Sequence, residues 1–323
     1  MPELLLHHVV VILVACLADA LVGDPVYRLH PIRVLGAAIR GLERVLFALG
    51  LRGYVGGALH WLLMITLALG GWWAVHAGLA LWSPWAALVW DAALAYSLLC
   101  LRDLVQHGRR VLTDLDDLAA ARDRVAMLVG RETAQLDRGG VVRATIESLS
   151  ENLTDGVLTP LWALCLFGVP GLIVVKVVSS LDSMLGYRNE RYRRFGWWGA
   201  RSDDLVHFVP ARCSALLIAA AAAVLRLHPV SAVKTAWRDH GMLASPNSGW
   251  SEAACAGALQ VRLMGPIVKA GQQVHSAFMG DASWPSDLGA QHLRQALRLT
   301  VVCGVLAVVI GLALTPLRLY LPW

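Results

Sequence analysis

A run of acidic residues between positions 147 and 155 is the part of the sequence that points most directly to chemistry. Glu147, Glu151 and Asp155 follow one another at four-residue intervals, so on an α-helix they share one face. Three stacked carboxylates repel one another unless a cation lies between them. Mg²⁺ binds carboxylate oxygens together with substrate phosphates. The spacing therefore predicts a Mg²⁺ site; a solvated acidic helix face is the alternative.

A second polar group follows the first apolar run and contains Asp19, Asp24 and His30. Asp19 still lies among apolar residues, and an ionisable side chain at membrane depth is a functional candidate because it is costly to place there. The alternative is a carboxylate that emerges at the lipid headgroups. We include Asp24 among the candidate metal ligands.

Lys176 lies inside the apolar run 172–178 and shares a helical face with Ser180 and Ser183. A buried lysine needs a partner, which is either a carboxylate such as Asp182 or the phosphate of a ligand. We therefore predict that Lys176 contacts a phosphate. The alternative is that its flexible side chain extends to the headgroup region without any functional partner.

Further polar clusters suit anion binding. The arginine run 191–194 is equally typical of a cytoplasmic topology anchor and of an anion site. Asn247 and Ser248 lie in a turn that precedes a predicted helix, and a helix N-terminus binds anions readily, although a plain capped loop is the alternative. The candidate substrate- and phosphate-binding residues are Arg188, Arg191, Asp203, Asp204, Arg212, Asn247, Ser248, Glu252 and Arg262.

The composition requires that these groups be positioned by membrane-embedded helices. Hydrophobic residues make up 57% of the 323 residues and charged residues only 16%, whereas soluble domains have about 25% charged residues. The net charge is +5, but no basic stripe with interleaved aromatic residues indicates a nucleic-acid partner. The six cysteines form no CxxC pair, which favours buried free thiols over disulfides or a metal site.

The predicted fold is an all-α, polytopic membrane helical bundle in one membrane-embedded domain. Apolar segments are long enough to cross a bilayer, for which about 20 residues are needed. The predicted apolar segments are 4–22, 55–81, 84–101, 157–180, 205–227 and 301–319, and the polar loops are 23–54, 102–156, 186–204 and 228–300. Residues 103–147 are expected to form amphipathic helix within the second of these loops.

Topology depends on the segment 157–180. The arginine bias puts loop 23–54 in the cytoplasm. A simple crossing by 157–180 would then export the arginines of 186–204, against the same rule. Gly168 and Pro170 interrupt the segment, and a broken or re-entrant helix is tolerated where protein buries it. We therefore predict that 157–180 is broken; whether 205–227 crosses stays open.

Taken together, these clusters resemble the CobD/CbiB family, the adenosylcobinamide-phosphate synthases. The match runs in order along nearly the whole chain, with Ser251 and Lys269 as the departures from the family pattern. The matching text is Gly23-Asp24-Pro25 with His30-Pro31, GRETAQLD at 130–137, ESLSENLTDGVLTPL at 147–161, LDSMLGYRNERYRRFG at 181–196, ARSDD at 200–204 with PAR at 210–212, and SPNSGWSEAACAGAL at 245–259.

The resemblance implies an ATP- and Mg²⁺-dependent amide ligase of cobalamin biosynthesis. A carboxylate of the corrinoid adenosylcobyric acid would be converted by ATP to an acyl phosphate, which (R)-1-amino-2-propanol or its phosphate attacks. The implied catalytic residues are Lys176, Asp182, Glu151, Asn152 and, as general base, His30. The implied metal ligands are Glu147, Glu151, Asp155 and Asp24.

The expected setting is the inner membrane, with the lipid bilayer as a partner and the active site facing the cytoplasm. Other late cobalamin-pathway enzymes are further candidate partners, and nucleic acid is not. Two other functions stay open: a corrinoid or small-anion permease, and a regulatory membrane protein of the AmpE type. A permease should show repeated halves and an ion pathway of intramembrane charges, whereas the charges here gather towards one membrane face, which favours an enzyme.

Overall fold

The protein is almost entirely helical in the computed structural model, which describes residues 2–24, 27–265, 267–269, 272–275 and 277–320. Pro25, part of the matching text at 23–25, lies outside the described residues. The α-helices are α1 (Pro2–Val22), α2 (Pro31–Ala48), α3 (Tyr54–Trp82), α4 (Pro84–Tyr96), α5 (Leu101–Thr113), α6 (Leu118–Ala126), α7 (Arg138–Asn152), α8 (Thr159–Leu185), α9 (Trp197–Val206), α10 (Phe208–Val224), α11 (Pro229–Asp239), α12 (Ser248–Leu259) and α13 (Ala290–Leu314).

Shorter elements complete the described chain. A π-helical segment, Leu153–Leu158, follows α7 directly, and 3₁₀ turns cover His240–Met242 and Thr315–Tyr320. The strands are β1 (Leu263–Met264), β2 (Ile267–Lys269), β3 (Gln272–His275) and β4 (Phe278–Met279). β1 pairs antiparallel with β4, and β2 pairs antiparallel with β3.

The described helices confirm the predicted class of an all-α membrane bundle. Five segments are long and apolar enough to cross a membrane, and α9 with α10 forms a sixth candidate pair interrupted at His207. The five are Leu5–Val22, Tyr54–Trp82, Pro84–Thr113, Arg138–Leu185 and Ala290–Arg318.

The polar stretches contain more helix than the predicted loops suggest. Within 23–54, α2 buries Ile39 and Leu46 and exposes Arg40 and Arg44, which is the pattern of an amphipathic helix. Within 228–300, α11 and α12 are regular helices. An amphipathic helix has too many charges to be recognised as an apolar span, so hydropathy alone missed α2 and α11, whereas α12 is the helix predicted after the turn at Asn247 and Ser248.

The expected single domain contains two compact units. Unit 1 consists of Met1–Cys100, Thr159–Val206 and Val308–Trp323. Unit 2 consists of Leu101–Leu158 and His207–Ala307. Unit 1 therefore holds α1 to α4, α8 and α9, and unit 2 holds α5 to α7, α10 to α12, the strands and most of α13.

The predicted interruption of 157–180 is confirmed in unit 1 at Gly168. This residue has φ 75° and ψ −164°, and both angles lie outside the helical region. A Cβ at Gly168 would overlap the guanidinium of Arg318, so only glycine fits both the backbone and the space. Pro170 lies two residues further on, where its missing N–H weakens the helix again.

In unit 2, α12 packs so closely on its neighbours that glycine is required at its contact points. A Cβ on Gly257 would overlap the carbonyl of Ser231 in α11, and one on Gly249 would overlap the carbonyl of His240. Every described residue of α12 except Trp250 is buried. This packing fixes the first two turns of α12, which carry the candidate binding residues Ser248 and Glu252.

Candidate functional site

A pocket in unit 2 gathers three glutamates from two helices. Glu147 and Glu151 come from α7, and Glu252 comes from α12. The pocket encloses about 280 Å³ and is also lined by Arg131 and Ser248. We call these five residues the acidic pocket. Two clusters that lie far apart in the sequence, around 147–151 and 247–252, are thus brought together.

Glu147 is held in place from two sides. The Nη2 of Arg131 donates to its Oε2 at 2.6 Å, and the backbone N–H of Met264 in β1 donates to its Oε1 at 2.7 Å. The residue is only 8% exposed. A carboxylate fixed by a guanidinium and a backbone amide has a defined orientation, so it can present its remaining lone pairs to a ligand.

Glu252 and Glu151 have no such partners. Among the residues that the structure describes, neither carboxylate makes a hydrogen bond or an ion pair, although Glu252 is only 5% exposed. Burial raises the pKa of Glu252 well above its ordinary value, and the charges of Glu147 and Glu151 raise it further. Arg131 opposes this shift in pKa but does not cancel it. Glu252 therefore takes up either a proton or a cation.

The donor set suits a Mg²⁺ ion that is completed by a substrate. Among the described residues, three carboxylates and one guanidinium line the acidic pocket, so negative charge is in excess there. In the described part of the chain, no three His, Cys, Asp or Glu side chains form a metal cage by themselves. Mg²⁺ usually takes one or two protein carboxylates and fills its shell with waters and substrate phosphates. The open arrangement here matches that mode of binding.

The first turn of α12 adds an anion-binding element to the acidic pocket. Ser248, the first residue of this 12-residue helix, lines the pocket. Asn247 precedes it and lies 3.5 Å from Nη1 of Arg212. The Arg212 guanidinium stacks over the rings of Phe208 and Trp250, at 3.4 and 5.3 Å from their centroids. A helix N-terminus beside a fixed guanidinium favours a phosphate group.

Three other residues proposed from the sequence do not line the acidic pocket. The π-helical segment breaks the four-residue register after Asn152, so Asp155 does not follow Glu151 into the pocket and lies 3.3 Å from Nδ1 of His207. Asn152 donates to the carbonyl of Ser148 in its own helix at 2.9 Å. Arg262 donates to Oγ of Ser286 at 2.9 Å.

Asp24 and His30 form a pair in unit 1. His30 begins α2 as its N-cap: its Nδ1 accepts from the N–H of Ile32 at 3.3 Å. Its Nε2 therefore carries the proton and donates to Oδ1 of Asp24 at 2.8 Å. Both ring nitrogens are engaged, so the geometry gives His30 a capping role and does not offer a free general base.

Unit 1 also contains a cavity lined by arginines and aromatic rings. Arg188 and Arg193 line about 490 Å³ together with Tyr54, Tyr187 and Trp197. We call this the arginine cavity. The same two arginines, with Tyr54, line an adjoining cavity of about 660 Å³. Guanidinium groups beside flat aromatic surfaces suit an anionic ligand with a planar ring system.

Of the other candidate residues in unit 1, some line the arginine cavity and some do not. Asp204 lines it and accepts from Nη1 of Arg201 at 3.1 Å. Asp203 is half-buried and does not line it. Arg191 lies outside the lining and donates to Oε1 of the buried Glu43 at 2.7 Å.

Lys176 and Asp182 both lie on α8 but have different surroundings. Lys176 lines an apolar groove of about 380 Å³. Asp182 is half-buried beside Gly186, whose missing Cβ leaves room for the Asp182 carboxylate. Neither residue lines the arginine cavity.

Comparisons with known proteins agree with this arrangement of motifs. The family model described as CobD/Cbib protein matches residues 12–300. The chain belongs to the CobD/CbiB family. It is 38% identical over 304 residues to "Cobalamin biosynthesis protein CobD" of Klebsiella pneumoniae, covering 91% of this chain and 93% of the relative.

Two further members show the same extent of similarity. "Cobalamin biosynthesis protein CobD" of Geobacter metallireducens is 39% identical over 307 residues, covering 94% of this chain and 96% of the relative. "Cobalamin biosynthesis protein CbiB" of Salmonella typhimurium is 35% identical over 308 residues, covering 93% and 95%. No solved structure matches the chain significantly.

One pocket residue of this family member escaped the sequence analysis. Arg131 lies in GRETAQLD, a stretch that resembles the family, but no periodic pattern links it to Glu147. Its position between α6 and α7 lets it fold back onto the helix that follows. The available signal was an arginine in a family-like stretch seven residues before the helix that carries Glu147 and Glu151.

Proposed function

We propose that this chain is an ATP- and Mg²⁺-dependent amide ligase of cobalamin biosynthesis. It would join a carboxylate of adenosylcobyric acid to (R)-1-amino-2-propanol or its phosphate. The observation that carries the proposal is the acidic pocket, where Glu252 is buried without a partner among the described residues beside two further glutamates. Membership of a family whose members are named for cobalamin biosynthesis supplies the pathway.

Each residue of the acidic pocket has a proposed task. Glu151 and Glu252 would hold Mg²⁺, which waters and substrate phosphates would complete, and the fixed carboxylate of Glu147 would add negative charge beside them. Arg131 is a positioning residue, because its ion pair keeps Glu147 aimed into the pocket. Ser248 and the first turn of α12 would contact phosphate oxygens. When bound, Mg²⁺ neutralises charge on phosphoryl oxygens and orients them.

The arginine cavity of unit 1 supports the same proposal by its own chemistry. Arg188 has no ion-pair or hydrogen-bond partner among the described residues, so its guanidinium is available to an anion. The corrinoid substrate has a roughly planar ring system and carries the carboxylate that is to be joined to the amine. We propose that Arg188 and Arg193 bind anionic groups of a substrate while Tyr187 or Trp197 contacts a flat surface.

A ligase assay on the purified full-length chain tests the function. Adenosylcobyric acid, ATP, Mg²⁺ and either amine are combined, and the corrinoid products and ADP or AMP are measured by chromatography and mass spectrometry. The expected result is an amide product that requires ATP. Corrinoid transport into proteoliposomes without ATP-dependent amide formation would contradict the proposal and favour a permease.

Matched variants test the assignment of the acidic pocket. Glu151→Gln and Glu252→Gln should each raise the Mg²⁺ concentration for half-maximal activity by at least roughly tenfold, the scale on which even indirect metal contacts act. Asp123→Asn is the control, because Asp123 is an exposed carboxylate on α6 of the same unit. An unchanged Mg²⁺ response in both glutamate variants would refute the metal assignment while leaving the ligase proposal intact.

A further inference from the structure

An apolar groove in unit 1 contains a single charged side chain among its described lining residues. Residues from α2, α3, α4 and α8 line about 380 Å³, and Lys176 is the one ionisable residue among them. The apolar lining includes Val34, Leu35, Met64, Leu67, Trp90 and Ile173. The volume lies near the lower end of the usual range for ligand pockets, which is about 300–1,000 Å³.

Lys176 has no polar partner among the residues that the structure describes. Within the described ranges it has neither an ion pair nor a hydrogen bond, and it is only half-exposed in the middle of α8. An ammonium group on a membrane-embedded helix is costly unless it meets an anion or reaches the headgroup region. The groove around Lys176 therefore suits a ligand that has an apolar chain and a negative charge next to it.

We propose that this groove binds an acyl chain of an anionic phospholipid, with the lipid phosphate on the ammonium of Lys176. Charge complementarity selects the anion, and the apolar lining selects the chain. Three of the four lining helices, α3, α4 and α8, belong to segments long and apolar enough to cross a membrane, so phospholipid is the amphiphile that they meet. Trp72 and Trp90 also line it, and tryptophan side chains favour the membrane–water interface.

The groove does not suit a nucleotide. A nucleotide phosphate needs several polar groups or a metal ion around it, and the described residues of the groove lining provide one ammonium and no carboxylate. The sequence predicts that Lys176 contacts a phosphate. We retain that contact but assign the phosphate to a lipid headgroup.

Lipid retention by the purified full-length chain tests the proposal. Detergent-solubilised protein is incubated with phosphatidylglycerol or phosphatidylcholine of the same acyl chains, and bound lipid is counted by native mass spectrometry. Wild-type protein should retain phosphatidylglycerol preferentially. Lys176→Met should reduce that retention by roughly tenfold, as for one lost charge-assisted contact. Lys234→Met is the control, since Lys234 is an exposed lysine on α11.

A second pair of variants tests the groove without touching the charge. Gly71 lines the groove and a Cβ there meets nothing within 4 Å, so Gly71→Leu fills the space without a clash at Cβ. Gly70→Leu is its control, because Gly70 has the same free space but does not line the groove. Gly71→Leu should reduce the retention of phosphatidylglycerol, whereas Gly70→Leu should not.

Three results would overturn the proposal. Equal retention of the two lipids by the wild-type protein would show that the protein does not select lipids by charge. Unchanged retention of phosphatidylglycerol in Gly71→Leu would show that the lipid does not occupy the groove. This result would hold even if Lys176→Met fails to fold. Displacement of bound phosphatidylglycerol by Mg²⁺–ATP would show that Lys176 belongs to a nucleotide site. This experiment does not depend on ligase activity, so it can fail or succeed independently of the proposed function.

Discussion

Glu147 and Glu252 line the same pocket, yet Arg131 pairs with Glu147 at 2.6 Å while Glu252 has no hydrogen bond or ion pair among the described residues. The first carboxylate is therefore fixed by the protein, and the second is left to take a proton or a cation. Within one pocket, the Arg131–Glu147 contact therefore serves positioning, whereas Glu252 is available for binding. Two predictions follow from this difference directly.

Removing Arg131 should destabilise the protein through Glu147. The Arg131 and Glu147 side chains are 14% and 10% exposed, so Arg131→Met leaves a nearly buried carboxylate without its counter-ion. Loss of one partner of a buried pair costs about 3 kcal/mol or more. Thermal unfolding in detergent should show this loss, and adding Glu147→Gln to Arg131→Met should recover part of it. Equal unfolding temperatures for the single and double variants would show that the pair is not energetically coupled.

Glu252 should make stability depend on pH in a defined direction. Its pKa is raised by burial and by neighbouring glutamates, so the folded protein binds this proton more tightly than the unfolded chain does. The free energy of unfolding should therefore fall as pH rises from the ordinary glutamate pKa, about 4.3, through the raised value. Mg²⁺ should offset this fall at the higher pH values, where the carboxylate is ionised.

The measurement for Glu252 is the difference in unfolding temperature between wild type and Glu252→Gln across a pH series, with and without Mg²⁺. The difference should change with pH and with Mg²⁺, because glutamine cannot titrate or bind the cation as a carboxylate does. Asp123→Asn, on an exposed position, should show a constant difference. A flat profile for Glu252→Gln would contradict the raised pKa.

The sequence predicted helical faces well but could not predict which faces meet. Glu147 and Glu151 lie together because they are one turn apart on α7, as their spacing indicates. Asp155 departs because a π-helical segment begins at Leu153, and nothing in the local sequence periodicity marks that change. Glu252 and Arg131 reach the same pocket through tertiary packing, which periodicity does not encode.

Close packing of α11 on α12 should make Gly257 intolerant of a larger side chain. A Cβ there would overlap the backbone carbonyl of Ser231, and backbone cannot move aside as a side-chain end can. Gly257→Ala should therefore lower the free energy of unfolding by about 1–3 kcal/mol. Gly241→Ala is the control, because a Cβ at Gly241 meets nothing within 4 Å. Similar unfolding temperatures for both variants would contradict the described helix contact.

Two arginines that are three residues apart should give opposite phenotypes. Arg188 lines the arginine cavity without a partner among the described residues, so Arg188→Gln should raise the KM for an anionic substrate and leave the unfolding temperature unchanged. Arg191 pairs with the buried Glu43, so Arg191→Gln should lower the unfolding temperature instead. Steady-state kinetics and thermal unfolding on both variants measure this. If Arg188→Gln behaved as the exposed control Arg44→Gln does, the anion role of the cavity would be refuted.

The arginine-rich segments of unit 1 should face one side of the membrane. Arg52 follows α2, and Arg194 follows the broken helix α8, yet both line the same cavity of about 660 Å³. An unbroken crossing by 157–180 is expected to export the second segment, and the helix is interrupted at Gly168. The arginine bias predicts that both segments lie in the cytoplasm. Arg52→Cys and Arg194→Cys, in a background without other reactive cysteines, should therefore react with a membrane-impermeant maleimide only after the cells are opened. Labelling of Arg194→Cys in intact spheroplasts, with Arg52→Cys protected, would contradict the shared side.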